Sequence, residues 1–221
     1  MSLAFPFARW PGRTRLEGRH STLVPLDAAV HTAPLFPAIH GPANQHVWQY
    51  LFDGPFEDAA DFRENLARKA AAIDAVFFAI VDKARNAAAG YASYMRIDPA
   101  HGVIEVGNVL FTPPLQGTTA ATEAMYLMAR HAFEDLGYRR YEWKCNARNA
   151  PSRTAALRLG FSFEGIFRQH MIVKGENRDT AWFSMLDSEW PARKAAFERW
   201  LDPANFDADG RQRATLASFR G

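Results

Sequence analysis

Cysteine is almost absent from this chain of 221 residues, which contains a single one, Cys145. An internal disulfide is therefore excluded, and a reducing cytoplasm is the expected setting. Cys145 lies in the strand-like run YEWKCNA, where a free cysteine more often packs as a small apolar side chain than reacts as a nucleophile. The His and Cys residues also lack the spacing of a metal site, so no metal is expected.

Long apolar runs and an excess of charge are missing as well. No window reaches about 18 uninterrupted apolar residues, so we expect no membrane span, and the first residues do not read as a signal peptide. The formal net charge is only +2 and no dense basic run carries interleaved aromatic residues, which argues against a nucleic-acid partner. The chain contains 48% hydrophobic and 23% charged residues, which is typical of a globular domain with a sizeable core.

Apolar periods of two and of about 3.6 residues alternate along the chain, which predicts alternating strands and helices. Strands are predicted in RLEGRHSTLVPLD, AVFFAIVDK, AAAGYASYMRID, GVIEVGNVLFT and YRRYEWKCNA, and two more in FSFEGIFRQHMIVKGENRDTAWFSML. Helices are predicted in LDAAVHTAPLFPAIH (short and broken by prolines), GPFEDAADFRENLARKAAAID, TTAATEAMYLMARHAF, NAPSRTAALRLG and DSEWPARKAAFERWL, the last capped by Ser188. The tail after Pro203 is expected to be extended. This order predicts one α/β domain with a central β-α-β crossover.

The segment TPPLQGTTAATEAM carries a strand directly into a helix. Such a corner collects unpaired backbone N–H groups and the positive end of the helix dipole, and it can bind a phosphate without a charged side chain. Gly117 would let the backbone approach an anion closely, and Thr118, Thr119 and Thr122 would add hydroxyl donors. The alternative, which this segment alone favours, is an ordinary capped helix start whose threonines satisfy their own backbone.

Three stretches in this order and spacing, IEVGNVLFTPPLQGTTAATEAM, NARNAPSRTAALRLGFSFEG and RDTAWFSMLDSEW, resemble the GNAT acetyltransferase superfamily and, within it, the RimJ/RimL-like branch. The resemblance covers nearly the whole chain. It implies an α/β (α+β) GNAT fold: a mixed, mostly antiparallel twisted sheet of about seven strands, with flanking helices and a splayed central parallel pair. The acetyltransferase domain would span residues 15–190, after an N-terminal arm at 1–14 and before a C-terminal helix and tail at 191–221.

The resemblance also implies acetyl-CoA as co-substrate, held at a Gln/Arg-x-x-Gly-x-Gly/Ala turn. A threonine replaces the central glycine of that turn, which is acceptable if this residue has helical dihedral angles. Backbone groups of the preceding strand would bind the pantetheine arm, and an asparagine at the start of a later helix would contact it. The implied cofactor-binding residues are Val109, Leu110, Phe111, Gln116, Gly117, Thr118, Thr119, Ala120, Ala121, Thr122, Asn149 and Ser152.

For catalysis, the resemblance implies Glu105 as general base and Ser152 as the acid that protonates the departing thiolate. The tyrosine acid of many members is absent, because Ala156 stands at its position. Two structural alternatives remain open: Glu105 on a solvent face or in a structural hydrogen bond, and Asn149 as a simple N-cap.

The acceptor side of the site is less readable. Candidate acceptor contacts are His170, Asp179 and Trp48. The alternatives are structural: a lone histidine on a strand more often has a structural role, and Asp179 is as well placed to anchor the final hairpin by hydrogen bonds. Trp48 belongs to the aromatic-rich run HVWQYLFDGPF, of which two aromatics are expected in the core. Arg139, Arg140 and Lys144 are expected to form a solvated face.

We therefore expect an acetyl-CoA-dependent N-acetyltransferase that acts on a primary amine by direct transfer in a ternary complex. The acceptor would be a small-molecule amine or a protein N-terminus. The branch often forms dimers, which leaves a homodimer open. Because a threonine replaces a glycine and the tyrosine acid is missing, the alternative is a catalytically weak GNAT-like module that binds acyl-CoA.

Overall fold

The computed structural model describes residues 7–220, so part of the predicted N-terminal arm, residues 1–6, lies outside the described residues. One sheet contains the strands β1 Leu16–Glu17, β2 Ser21–Pro25, β3 Val76–Asp82, β4 Ala87–Asp98, β5 Val103–Phe111, β6 Arg140–Asn146, β7 Ser162–Val173 and β8 Glu176–Leu186. The α-helices are α1 Ala28–Ile39, α2 Ala59–Ala71, α3 Thr119–Arg130, α4 Ala150–Leu159 and α5 Trp190–Leu201. None of the helices in this part of the chain is long and apolar enough to cross a membrane.

The sheet has the strand order β1-β2-β3-β4-β5-β6-β8-β7, in which β5 and β6 are parallel and every other neighbouring pair is antiparallel. The predicted mixed, mostly antiparallel sheet with one central parallel pair is confirmed. It has eight strands rather than about seven, because the first predicted strand folds back on itself. Leu16 pairs with Leu23 across a turn at residues 18–20, which divides that segment into β1 and β2.

Helices cover both faces of the sheet and bury two apolar clusters. The larger cluster lies under α3 and α5 and includes Phe78, Tyr94 and Tyr141. The smaller one lies between the sheet and the pair α1 and α2, and includes Phe77 and Tyr91. Consecutive residues of β3 therefore point to opposite clusters, as the period of two requires.

The helix α1 is longer than predicted, because its two prolines do not end it. Asp27 is its N-cap and accepts the N–H of Ala29 at 2.7 Å. Pro34 and Pro37 lie inside the helix, where each removes one backbone hydrogen bond. The fully buried Leu35, in the cluster shared with α2, holds the helix together despite this loss.

The C-terminal segment differs from the prediction in two respects. Ser188 is exposed and does not cap α5; Glu189 takes the N-cap position, and its carboxylate accepts the N–H of Leu186 at 2.9 Å. The tail is not extended but folds back against the helix. The Asn205 side chain donates to the carbonyls of Trp200 and Ala214, so the tail joins the larger cluster.

Candidate functional site

The parallel strands β5 and β6 separate partway along their length. Their paired residues run from Val103 opposite Arg140 to Val106 opposite Trp143, whereas β5 continues to Phe111 and β6 to Asn146. Beyond the last pair the facing edges of β5 and β6 are no longer paired with each other. This opening at the centre of the sheet is the splay that was expected of the fold.

A β-bulge in β5 begins just after this point. The register with β4 changes between the pairs Tyr91–Leu110 and Ser93–Gly107, so β5 contains one extra residue there. Asn108 absorbs it with a left-handed φ of 49°. Bulges of this kind bend a strand and redirect the residues that follow, which here are the predicted pantetheine contacts 109–111.

The corner between β5 and α3 is tied to the end of β5. The carbonyl of Thr112 accepts the N–H groups of Leu115 (2.8 Å) and Gln116 (3.2 Å). The Gln116 side chain donates back to the carbonyl of Phe111 at 3.0 Å, and the Thr112 hydroxyl donates to Ala89 of β4 at 2.6 Å. The turn therefore has a fixed position relative to the opening between β5 and β6.

Backbone N–H groups at this corner are free. Within residues 7–220, no acceptor is found for the N–H groups of Gly117, Thr119 or Ala120. Thr118 is the N-cap of α3, and its hydroxyl accepts the N–H of Ala121 at 3.1 Å. Gly117 has a φ of 72°, and a Cβ added to it would meet no heavy atom within 4 Å. Three donors without an acceptor in the described part of the chain thus lie at the positive end of the α3 dipole.

The threonines of this corner contribute less than predicted. The Thr118 hydroxyl donates to the carbonyl of Leu115 at 2.7 Å, and the Thr122 hydroxyl lies 3.3 Å from the carbonyl of Thr118. Arg158 also donates to the Thr122 hydroxyl at 3.0 Å. The expectation of three free hydroxyl donors is therefore wrong for two of them. Thr119 is the first residue of α3, where a side chain is tolerated.

A buried carboxylate fixes α3 to the first hairpin. Glu123, in the second turn of α3, accepts the N–H groups of Arg19 (2.8 Å), His20 (2.7 Å) and Ser21 (2.7 Å). Charge-assisted hydrogen bonds of this type are among the stronger ones. The start of α3 is thus held from both sides, by β5 and by the turn between β1 and β2.

The start of α4 lies beside the far part of β6. Asn149 caps the helix by accepting the N–H of Ser152 at 3.1 Å, which is the N-cap arrangement predicted as an alternative. The indole N–H of Trp143 donates to the Ser152 oxygen at 3.0 Å, which leaves the hydroxyl proton for another acceptor. The Cys145 thiol is next to Ser152, and burial raises the pKa of Cys145, so it stays neutral.

Glu105 is buried and fully engaged in ion pairs. Its side chain is 3% exposed, and its oxygens lie 2.9 and 2.7 Å from Nη1 of Arg96. A second cation, the ammonium of Lys144, lies 2.9 Å away. The alternative that placed Glu105 on a solvent face is therefore wrong. The contacts of Glu105 resemble the other alternative, a structural role.

This network continues across β6 toward the edge of the sheet. Lys144 is 4% exposed, lies 2.6 Å from Glu142, and places its ammonium 3.8 Å from the Trp182 ring centroid. Arg140 pairs with Glu142 at 2.7 Å and with Glu164 at 2.5 Å. The hydrogen bond from Arg140 lowers the pKa of Glu164 to about 2. The predicted solvated face is correct for the exposed Arg139 and wrong for Lys144.

Trp48 is not available to an acceptor. It is 2% exposed, its indole N–H donates to the carbonyl of Ile39 at 3.1 Å, and its ring meets Phe56 and Phe62 edge-on. This prediction is wrong because α1 and α2 close around the aromatic-rich run and draw Trp48 into their shared cluster.

The other two acceptor candidates lie on the hairpin of β7 and β8. His170 is exposed, and its Nδ1 lies 2.9 Å from the Thr180 hydroxyl. Asp179 accepts the N–H of Gln169 at 2.7 Å and the side-chain N–H of Asn177 at 2.9 Å, and the first of these bonds contributes most to its lowered pKa. Gln169 has a φ of 50°, so Asp179 stabilises a bulge of the hairpin, as its structural alternative predicted.

One residue near this hairpin, Arg178, was not singled out from the sequence. Arg178 on β8 is 7% exposed, and its guanidinium lies 5.0 Å from the ring centroid of Phe52. Phe52 belongs to the segment between α1 and α2 and is 39% exposed. A charged residue within the apolar strand NRDTAWFSML was a signal, but adjacent Asp179 offered an apparent partner. Within the described residues, no group of three or more His, Cys, Asp or Glu side chains could hold a metal ion.

Comparison with known proteins identifies this arrangement. The profile of the acetyltransferase (GNAT) domain matches residues 21–162. A solved GCN5-related N-acetyltransferase from Brucella melitensis is 49% identical and superposes with a TM-score of 0.95 over 99% of each chain. The N-acetyltransferase p20 of Bacillus licheniformis is 27% identical over 151 residues, which are 67% of this chain and 84% of that protein.

A more distant neighbour links the fold to the RimL-like proteins. The acetyl transferase of Salmonella typhimurium that modifies the N-terminal serine of ribosomal protein L7/L12 has a TM-score of 0.66 at 19% identity, with 78% of this chain and 99% of that chain covered. At this identity the likeness concerns the fold alone. The family match over residues 21–162 and the close likeness to the Brucella protein agree with the splayed parallel pair of the sheet. The chain therefore belongs to the GNAT family of N-acetyltransferases.

Proposed function

We propose that this protein transfers the acetyl group of acetyl-CoA to a primary amine by direct attack in a ternary complex. The observation that carries the proposal is the corner at the start of α3, where the N–H groups of Gly117, Thr119 and Ala120 have no acceptor within residues 7–220 and Gly117 borders open space. Free N–H groups at a helix N-terminus suit a pyrophosphate. The corner is joined directly to the opening between β5 and β6, which offers a path for an extended arm.

The pantetheine arm would lie along that opening. The backbone of residues 109–111 borders it after the bulge, and an amide-rich arm can pair with a strand edge that has no neighbour. Asn149 uses its side-chain oxygen as the cap of α4, so its amide nitrogen, for which no acceptor is found within residues 7–220, remains as a donor. Gln116 would act indirectly, by holding the turn to Phe111.

The chemistry requires a neutral amine. The ammonium form of the acceptor loses one proton, the amine nitrogen attacks the thioester carbonyl, and a C–N bond forms while a backbone N–H of residues 109–111 stabilises the oxyanion. Collapse of the intermediate breaks the C–S bond and releases the second amine proton. Ser152 gives a proton to the thiolate and regains one through solvent, which takes up the second amine proton. Trp143 donates to the Ser152 oxygen, so the Ser152 hydroxyl acts as the donor in this step.

Glu105 is our assignment for the group that accepts the amine proton. Its contacts restrict how it does so, since Arg96 and Lys144 already share the carboxylate. Proton transfer would therefore pass through water rather than by direct contact. If Glu105 is only the centre of an ion-pair network, the amine would instead reach the site as the small neutral fraction present in solution.

The acceptor class of the RimL-like neighbour, a protein N-terminus, is one candidate for this chain, and a small-molecule amine is the other. Release of thiol from acetyl-CoA over a panel of amines and N-terminal peptides tests the proposal, with binding of acetyl-CoA measured separately by calorimetry. Turnover of any amine supports an enzyme. Binding of acetyl-CoA without thiol release above background would favour the acyl-CoA-binding module, and absence of binding would overturn both.

A further inference from the structure

Arg178 is a buried cation without a protein counter-ion. Within residues 7–220, its Nε has no hydrogen-bond partner, and no carboxylate lies within ion-pair distance of its guanidinium. The guanidinium carbon lies 5.0 Å from the ring centroid of Phe52, and a cation–π contact offsets only part of the cost of desolvation. An uncompensated buried charge is costly, so a structure that keeps one needs a reason for it.

The cations of the Glu105 network are paired with carboxylates. Arg96 and Lys144 share Glu105, and Arg140 is held by two further carboxylates. The adjacent Asp179 is occupied by the backbone of the hairpin bulge. Arg178 therefore has no carboxylate partner in this network.

The position of Arg178 is the second observation. Arg178 lies two residues before Thr180 on β8, and Thr180 pairs with Asn146, the last residue of β6. Burial lowers the pKa of Arg178, and the charges of Cys145 and Glu105 act against that shift. Glu105 lies just before the splay, and Cys145 lies beside Ser152 on the far part of β6. Phe52 closes the other side from the segment between α1 and α2. Arg178 is thus located between that segment and the opening of the sheet, where an acceptor would approach the thioester.

We propose that the amine acceptor carries an anionic oxygen group, a carboxylate or a phosphate, and that Arg178 binds this group while the amine reaches the thioester. The inference rests on the proposed function and names the substrate class of the same site. A guanidinium presents two parallel N–H donors, which match the oxygens of either anion. Binding would supply the missing counter-charge and would select against amines that lack it.

The test compares acceptors in matched pairs that differ in the anionic group. Amino acids are assayed against their amides, and phosphoethanolamine against ethanolamine, at saturating acetyl-CoA. We expect kcat/KM to be at least about tenfold higher for the charged member, because its hydrogen bonds to the guanidinium are charge-assisted. The two pairs also distinguish a carboxylate from a phosphate acceptor.

Substitution of Arg178 separates this role from a structural one. Arg178→Gln should raise KM for the charged acceptor at least about tenfold and abolish the preference within the pair, while KM for acetyl-CoA changes less than about twofold. Arg178→Lys should retain part of the preference. Arg63→Gln, which removes the same charge from an exposed position on α2, is the control and should change neither constant.

The outcomes separate this inference from the proposed function. Turnover of neutral and charged amines with equal kcat/KM, or a preference that survives Arg178→Gln, would overturn the inference and leave the acetyltransferase intact. A rise of KM for acetyl-CoA alone in Arg178→Gln would also overturn it. Folding is checked by thermal unfolding, and the variant should unfold no earlier than wild type, because an unpaired buried charge has been removed.

Discussion

Glu105 and Glu142 lie directly opposite each other on the parallel strands β5 and β6, and the ammonium of Lys144 is 2.9 Å from the first and 2.6 Å from the second. Opposed like charges destabilise a strand pair. Lys144 removes this repulsion with a side chain that is only 4% exposed. Buried charges therefore join the strand pair one position before its last pair, Val106 and Trp143.

Glu105→Gln should lower both stability and turnover. Breaking a buried ion pair costs about 3–5 kcal/mol, but Lys144 keeps Glu142, so we expect a loss of about 2 kcal/mol. If Glu105 also accepts the amine proton, kcat falls further and its pH profile shifts. Urea unfolding and the pH dependence of kcat measure the two effects.

Glu142→Gln is the matched control for Glu105, because it removes the other carboxylate from the same ammonium. It should destabilise the protein to a similar degree and leave the pH profile of kcat unchanged. Identical profiles in both variants would reduce Glu105 to a member of the ion-pair network.

Gly117→Val should weaken binding of acetyl-CoA at least about tenfold. The substitution places a branched side chain into the open space before the free N–H groups, and it forces valine to adopt a φ of 72°. The strain itself costs about 1–2 kcal/mol of stability. Isothermal titration gives the change in Kd.

Gly137→Val isolates the strain from the obstruction. Gly137 follows the same helical segment at its other end, has a φ of 80° and also has open space around it. The control should lose similar stability and keep its Kd. If both variants bind acetyl-CoA equally well, the anion does not lie at Gly117.

Ser152→Ala should lower kcat at least about tenfold. A general acid typically contributes about 10²-fold or more, but solvent can partly replace Ser152, so we expect a smaller loss. KM for acetyl-CoA should change little, since Asn149 still caps α4 in the variant. Stopped-flow measurement of thiol release reads the step directly. Ser188→Ala, at an exposed position before α5, is the control, and an unchanged kcat in Ser152→Ala would remove Ser152 as the acid.

Glu164→Gln should make the free energy of unfolding less dependent on pH in the acid range. The folded pKa of Glu164, about 2, is below its ordinary value of 4.5, so its pairing with Arg140 stabilises the protein above pH 4.5 and is lost as the pH falls toward 2. The side chain is 39% exposed, so the contribution is about 1 kcal/mol at most.

Urea unfolding at pH 7 and at intervals from 4.5 downward measures this effect. The free energy of unfolding should be larger for wild type than for Glu164→Gln at pH 7, and this difference should shrink as the pH falls. The exposed Glu176, changed to Gln on the same hairpin, should show no such convergence. A difference that stays constant with pH would contradict the assignment.

The sequence predicts well those features that are encoded within a few residues. Asn149 caps α4, as one of its two predicted roles required, and Gly160 ends the same helix with a left-handed φ of 99°. Capping depends on hydrogen bonds between residues two or three positions apart, so local pattern is sufficient. The strand order followed from the resemblance to a known fold rather than from periodicity.

Features that depend on distant partners were not predicted. The bulge at Asn108 arises from its register with β4, and nothing near Asn108 in the chain specifies it. Lys144 and Arg178 were expected at the surface or were overlooked, because their burial depends on Glu105 and Phe52, which lie far away in the chain. Trp48 was misassigned for the same reason, since two helices on either side of it form its surroundings.

The three N–H groups that Glu123 accepts make the state of the corner between β5 and α3 measurable. The amides of Arg19, His20 and Ser21 belong to the first hairpin, yet their protection from hydrogen exchange depends on a carboxylate in α3. Loosening of the helix start would release all three together, and tightening on ligand binding would slow their exchange together. Exchange at that turn therefore gives a reading of cofactor occupancy that requires no turnover and no knowledge of the acceptor.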